Sequence, residues 1–398
     1  MDLKRIGQFI DIPSTAVCLL ERPEKEITLA INIRVNQEKH IQTTAYVCLY
    51  NTARGPAKGG IRFHPEVNLL ETRKLAELMV WKTALVGIPF GGGKTGVMVD
   101  TLGFTRAEKT VLVKELVHLI RNELNCGDYI PAPDMGTDAH DMATIFGETH
   151  ILECVTGKPP RVGGLPGREE ATGRGVATAT SLMAQQHRLD PAKTTVAVQG
   201  FGNVGSWTAY FLHSLGFKVT GISDITGACF LPQGIDTHKL KKDFCINGNN
   251  LASCIDCTKI KRDELLEQPV DILIPAAAGG IITKNNAHKI EAKYIVEAAN
   301  NPVTPEAEEI LNERGTIILP DILANAGGVI ASYVEWRQAR SGSLTPREET
   351  YQVIDSAITD SFKEVIAIAA EKKIPYRLAA EVKAVQEVVE AMKDRGWL

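Results

Sequence analysis

Two α/β domains are what this sequence predicts, on three observations. The chain has 398 residues, beyond the roughly 250–300 at which one hydrophobic core stops growing. Near its middle, the apolar run "TTVAVQ" passes into Gly200-Phe201-Gly202-Asn203-Val204-Gly205 and then into the helical "VGSWTAYFLHSLG", the strand–GxGxxG–helix context of a dinucleotide fingerprint. Buried-strand runs then alternate with helical segments, which argues for a parallel sheet covered on both faces. The fold class is therefore α/β in two domains, an N-terminal α/β domain and a Rossmann-type dinucleotide-binding domain.

Composition narrows the function. The chain is 44% hydrophobic and 23% charged, with a formal net charge of -4, so it carries no basic footprint for nucleic acid. No run approaches the ~18 apolar residues of a membrane span, and "MDLKRIGQFIDIPSTAVCLL" lacks the apolar core of a secretory signal. Eight cysteines are too sparse for a disulfide framework, so a reduced, cytoplasmic enzyme is expected.

The elements follow in order. "EITLAINIRV" and "TTAYVCLYN" read as opening strands. Asn68 followed by Glu71, and Thr105 followed by Glu108, have capping-box spacing, and the first of these helices should run to about Leu85 and carry Lys82 near its end. Glycine, proline and charge displace apolar periodicity over residues 156–175, so the first domain is set at 1–165 and the nucleotide domain at 166–350. The later strands are "TTVAVQG", "FKVTGIS", "VDILIPAA", "KYIVEAA" and "TIILPD". Thr345-Pro346-Arg347-Glu348 starts a long helix, and the C-terminal helices, 351–398, are expected to pack back on the first domain.

In the fingerprint, Gly200, Gly202 and Gly205 permit the tight turn and close approach of a pyrophosphate to the helix N-terminus, beside Asn203 and Val204. Asp224 stands 24 residues after Gly200, near the ~20 expected of a ribose-binding carboxylate, although it also suits the start of the turn "SDITG". No Lys or Arg stands between Asp224 and Lys239 to meet a 2′-phosphate. NAD is favoured, with NADP possible.

Three lysines sit among small and apolar residues: Lys58 in "GPAKGGIRFHP", Lys82 in "LMVWKTALVG" and Lys94 in "PFGGGKTGV". Converging cations of this kind suit a small polyanion, and repulsion plus desolvation would lower at least one lysine pKa toward the range of a working base. The glycines are read as letting backbone and substrate approach the amine.

These segments, with "PAPDMGT", "GREEATGRGV", "NPVTPEAEEIL" and "LPDILANAGGVIASYVEW", resemble the glutamate dehydrogenase branch of the Glu/Leu/Phe/Val amino-acid dehydrogenases over nearly the whole chain. The resemblance implies reversible NAD(P)-dependent oxidative deamination of L-glutamate to 2-oxoglutarate and ammonia, in nitrogen metabolism. It also implies a first domain that binds substrate and builds a homo-oligomer, commonly a hexamer. Lys94 matches the catalytic lysine that activates water, and Asp134 matches the acid/base serving the substrate nitrogen. Lys82 matches the α-carboxylate site, and Lys58 with Ser332 the pair holding the side-chain carboxylate. Gly59 and Gly60 would lie against the substrate, Arg168 and Val329 would line its pocket, and Thr172 and Asn300 would lie along the nicotinamide.

Two departures stand out: Thr95 follows the catalytic lysine where the family has glycines, and the common "EGANGPTTPEA" reads "EAANNPVTPEA" here. Two other readings stay open, a same-fold dehydrogenase for leucine, valine or phenylalanine and a nucleotide-binding regulatory homologue without turnover. Cys245, Cys254 and Cys257 cluster, but structural zinc takes four ligands, so ordinary thiols and no metal are expected.

Overall fold

The computed structural model describes residues 1–246, 251–254 and 256–398. They form two compact units: Met1–Arg168 with Val329–Thr350 and Glu381–Leu398, and Glu169–Gly328 with Tyr351–Ala380. The expected seam at 165/166 thus falls at 168/169, and two C-terminal assignments change. Residues 329–350, expected in the nucleotide domain, belong to the first unit, where Glu335 is ion-paired with Lys158 at 2.8 Å. Residues 351–380, expected on the first domain, belong to the second. Asp355 there accepts from Arg174 Nε at 3.0 Å, and Arg377 bonds Glu297 at 2.7 Å and Glu308 at 2.6 Å. Glu381–Leu398 belongs to the first unit, where Glu387 pairs with Arg54 at 2.9 Å.

The first unit is built on a five-stranded sheet ordered β1-β2-β4-β3-β5: β1 (Lys25–Arg34), β2 (His40–Asn51), β3 (Ala57–Phe63), β4 (Gly91–Val97) and β5 (Tyr129–Pro133). β1, β2 and β4 pair antiparallel, while β3 runs parallel to both β4 and β5. Ile31, Val47, Leu49 and Ile61 from this sheet pack with Leu112, Leu116 and Ile145 into one core. The helix Leu69–Leu85 starts where Asn68 accepts the Glu71 N–H at 2.9 Å. The helix Arg106–Leu119 opens on the complete Thr105/Glu108 capping box.

The second unit carries a seven-stranded sheet ordered β12-β11-β10-β6-β7-β8-β9. All five expected strands are present and parallel: β6 (Thr195–Gln199), β7 (Lys218–Asp224), β10 (Ile272–Pro275), β11 (Tyr294–Val296) and β12 (Ile317–Leu319). The sheet is not wholly parallel, because β8 (Gly227–Phe230) and β9 (Thr258–Ile260) add an antiparallel edge. Among the described residues no helix is long and apolar enough to cross a membrane.

Candidate active site

The glycine-rich stretch is a strand. All seven residues of β4 are buried, and the glycines answer to backbone crowding more than to the amine. A Cβ on Gly91 would stand 2.0 Å from Asn51 O, and one on Gly92 would stand 2.3 Å from Ala76 O of the overlying helix. β4 is wedged between a helix and two neighbouring strands, and side chains would force them apart. The small residues around Lys94 follow from that packing.

Lys94 projects from β4 to form an ion pair with Asp134, just past the end of β5. The parallel pairing of β3 with β5 sets Gly60 opposite Ala132, and a Cβ on Gly60 would come within 2.7 Å of Asp134 Cβ. Gly60 therefore makes room for the carboxylate. Asp134 Oδ1 accepts from Met135 N at 2.6 Å and from Arg62 Nε at 3.1 Å, and Arg62 also pairs with Glu71 at 2.6 Å. Burial pushes the Asp134 carboxyl upward, but Lys94 and Arg62 overcome it and hold the pKa down at about 2. Burial outweighs Asp134 at the other end of the pair, so the Lys94 pKa is lowered. An ionised acceptor thus faces an amine readier than most to release its proton. Thr95 points elsewhere: its hydroxyl lies by the buried Tyr129 phenol, and the Tyr129 hydroxyl donates to Gly59 O at 3.3 Å.

Lys58, two residues before Gly60 on β3, is 1% exposed. Arg168 is half-buried, with a buried Nε that has no hydrogen-bond partner. Desolvation lowers the Lys58 pKa well below that of a free lysine; Arg168, Lys158 and Lys94 push the same way, and Glu335 opposes them. Lys82 is buried in the last turn of its helix, as expected. Val329 and Ser332 are buried on the helix Gly327–Ser341. Lys58, Lys82, Lys94, Asp134, Arg168, Val329 and Ser332 all belong to the first unit.

The second unit has its own hollow, a cavity of about 860 Å³ at the carboxyl end of β6 and β7, lined by Gly200, Gly202, Asn203, Ser223, Asp224 and Ile225 among others. The glycines fit a dinucleotide. Gly200 has φ +99° and faces Ala277, a Cβ on Gly205 would stand 1.8 Å from Gly200 O, and one on Gly202 would meet nothing within 4 Å. Two glycines thus close the turn, and the third leaves open space before the helix Asn203–Ser214, as a pyrophosphate requires. Asp224 lines the cavity and also starts its turn, accepting from Thr226 N at 2.7 Å, Thr226 Oγ1 at 2.6 Å and Leu251 N at 3.1 Å. Lys241 and Arg262 line it too. Both stand beyond the Asp224–Lys239 interval that holds no other cation, and the helix Thr237–Ile246 and the turn after β9 bring them back to the cavity.

Val204, Gly205, Thr172 and Asn300 do not line this cavity. Thr172 lies in the first turn of the helix Ala171–Gln186. Asn300 is fixed by Asn325, whose Nδ2 donates to Asn300 Oδ1 at 3.0 Å. Asn301, where the family pattern has glycine, keeps a left-handed φ of +46°, a conformation that asparagine tolerates. Its N–H donates to Asp321 Oδ2 at 2.9 Å.

The cysteine expectation needs correction. Cys257 is bonded to Cys229 in a disulfide with Cα atoms 5.7 Å apart, because the β8–β9 pairing sets Cys229 opposite Lys259. Cys254 remains a thiol, and the Cys245 side chain lies outside the described residues.

Residues 163–396 match the family described as Glutamate/Leucine/Phenylalanine/Valine dehydrogenase, and residues 23–151 match its dimerisation domain. The chain belongs to the Glu/Leu/Phe/Val dehydrogenase family. It is 41% identical to a glutamate dehydrogenase of Thermotoga maritima, over 98% of this chain and 96% of that protein. It is 38% identical to glutamate dehydrogenase A2 of Halobacterium salinarum, over 99% and 96%. The hetero-hexameric glutamate dehydrogenase of Thermus thermophilus in its Leu-bound form superposes with a TM-score of 0.92 at 29% identity, over 99% of this chain and 95% of that one. The glutamate dehydrogenase of Peptoniphilus asaccharolyticus gives 0.87 at 32%, over 100% and 98%.

Within this amino-acid dehydrogenase fold, sequence reasoning missed Arg62, Lys158 and Glu335. Arg62 lies in the same strand as Lys58, and its spacing from the lysines gave no hint that it would bridge Asp134 and Glu71. Glu335 stands three residues after Ser332, one helical turn along the same face, and that spacing could have found it.

Proposed function

We propose that this chain catalyses the reversible oxidative deamination of L-glutamate to 2-oxoglutarate and ammonia with a nicotinamide dinucleotide. The observation that carries the reading is the buried Lys58 side chain beside the half-buried Arg168, whose Nε is buried without a partner. Such cations cost several kcal/mol to desolvate, and a side-chain carboxylate is the ligand that offsets the cost. Lys82 takes the α-carboxylate, Ser332 adds a hydroxyl beside Lys58, and Gly59, Gly60 and Val329 shape the space between them.

Asp134, ionised across neutral pH, accepts the proton of the substrate ammonium. A bound nicotinamide dinucleotide supplies the hydride acceptor. Lys94, whose burial lowers its pKa and so makes the neutral amine accessible, takes the proton of the water that attacks the 2-imino carbon, and Asp134 returns its proton to the departing ammonia. Gly200, Gly202, Asn203, Val204 and Gly205 would hold the pyrophosphate, Asp224 the adenosine ribose, and Thr172 and Asn300 the nicotinamide end. The Asp224 carboxylate supports NAD as the preferred form, while Lys241 and Arg262 leave NADP usable. We extend the reading to a homo-oligomer, a hexamer, on the strength of the matched dimerisation domain and the hexameric Thermus relative. Dependence on dissolved dinucleotide argues for the cytoplasm.

The test is reductive amination of a panel of 2-oxo acids with ammonium by the purified protein, using NADH and NADPH, with Lys94→Ala alongside. Turnover of 2-oxoglutarate that is lost in Lys94→Ala is expected. Turnover confined to branched or aromatic 2-oxo acids assigns a different amino acid. NADH binding without any turnover assigns a regulatory homologue.

A further inference from the structure

Behind the lysines lies a carboxylate that the reaction above does not use. Glu335 is fully buried on the helix Gly327–Ser341, one turn beyond Ser332. Its Oε2 accepts from Gly157 N at 2.8 Å, and its Oε1 accepts from Lys158 N at 3.2 Å and pairs with Lys158 Nζ at 2.8 Å. Lys158 is equally buried and also donates to Val155 O. One carboxylate therefore ties the irregular segment 155–158 to the helix face that presents Val329 and Ser332. The charged groups around Lys58 are Arg168, Lys158, Lys94 and Glu335, three cations and one anion.

We propose that Glu335 is a positioning residue of the side-chain-carboxylate pocket, holding segment 155–158 against the Ser332 helix and supplying the negative charge that balances Lys58 and Arg168. The inference rests on the glutamate reading. Lys158 alone does not require so costly an arrangement, since buried ion pairs are often replaceable by apolar residues without loss of stability. Two further cations within the field of the same carboxylate give it a use. With Glu335 ionised, Lys58 keeps its proton to higher pH and can grip an incoming carboxylate; without it, the pocket carries mutually repelling cations, and Lys58 loses its proton sooner.

The experiment compares parent, Glu335→Gln and Lys158→Met by steady-state kinetics with L-glutamate from pH 6 to 10. Glutamine keeps the shape and an acceptor while removing the charge. For Glu335→Gln we expect KM for glutamate to rise about tenfold at pH 8, kcat to stay within threefold, and the alkaline limb of kcat/KM to move to lower pH. For Lys158→Met, which frees Glu335 to act on Lys58, the alkaline limb should move to higher pH. This opposite sign is readable even should Glu335→Gln fold poorly. A fall in kcat with unchanged KM, or limbs that coincide with the parent's in both variants, overturns the proposal. A parent that does not turn over glutamate overturns the glutamate reading and this inference with it.

Discussion

Replacing Lys58 by methionine should make the protein more stable and nearly useless as a glutamate enzyme. Lys58 is 1% exposed, and burial together with three neighbouring cations already depresses its pKa. Methionine fills a similar volume without charge, so removing this desolvation and repulsion should stabilise the free protein by about 1–3 kcal/mol. In a unit of this size each kcal/mol is worth roughly 2–4 °C of Tm. The cost appears on binding. Losing one partner of a buried charge-assisted contact removes roughly 2–4 kcal/mol, which lowers kcat/KM for glutamate about 30- to 1000-fold. Differential scanning fluorimetry and initial rates measure the two halves of the trade. A Lys58→Met protein that melts lower than the parent while keeping kcat/KM within threefold would refute the reasoning, because Lys58 would then be a structural residue.

Three other outcomes are expected. Asp134→Asn keeps the shape of the carboxyl but cannot take a proton, so kcat should fall about 10²- to 10⁴-fold with KM within a few-fold, read from initial rates. Gly202→Ala adds a Cβ that meets nothing within 4 Å on a backbone at φ -73°, so Tm should be unchanged. The same methyl occupies the space before the helix N-terminus, so the NADH Kd from fluorescence titration should rise at least about tenfold. Burial pushes the Glu297 carboxyl up to about 7 despite Arg377, with Asp321 adding to the rise. Its folded pKa lies above the unfolded 4.5, so its contribution to stability is complete below about pH 4.5 and lost as pH rises through about 7. Urea unfolding across that window should show the decline in the parent and a flatter profile in Glu297→Gln.

How much of this was legible depended on whether a signal was local. The parallel strands β6, β7, β10, β11 and β12 are short apolar runs bounded by turns, and all five could be read. β3, β4 and β5 could not, because "AKGGIRF", "GGGKTGV" and "YIPAP" carry the residues that usually break strands. Their strand character comes from tertiary crowding, with Gly92 pressed under Ala76 O and Gly59 against Gly93 O. The same contrast holds at the site. Lys58, Lys82 and Lys94 announced themselves by their apolar surroundings. Arg62 and Glu335 act through partners at positions 134 and 158, and no local pattern records such pairings. Asn301 shows the reverse: the family glycine is lost from the sequence, yet the left-handed turn survives with asparagine in it.

The most direct measurement is the ratio of kcat/KM for 2-oxoglutarate to that for 2-oxopentanoate, which has the same five carbons and lacks the distal carboxylate, at saturating ammonium and NADH. A pocket built around buried Lys58 rejects the acid that lacks the distal carboxylate because it leaves that cation without a counter-charge, so the ratio should exceed about 100 and collapse toward unity in Lys58→Met. A ratio near one in the parent, or a ratio unaltered by Lys58→Met, would contradict the assignment of that pocket to the substrate's distal carboxylate.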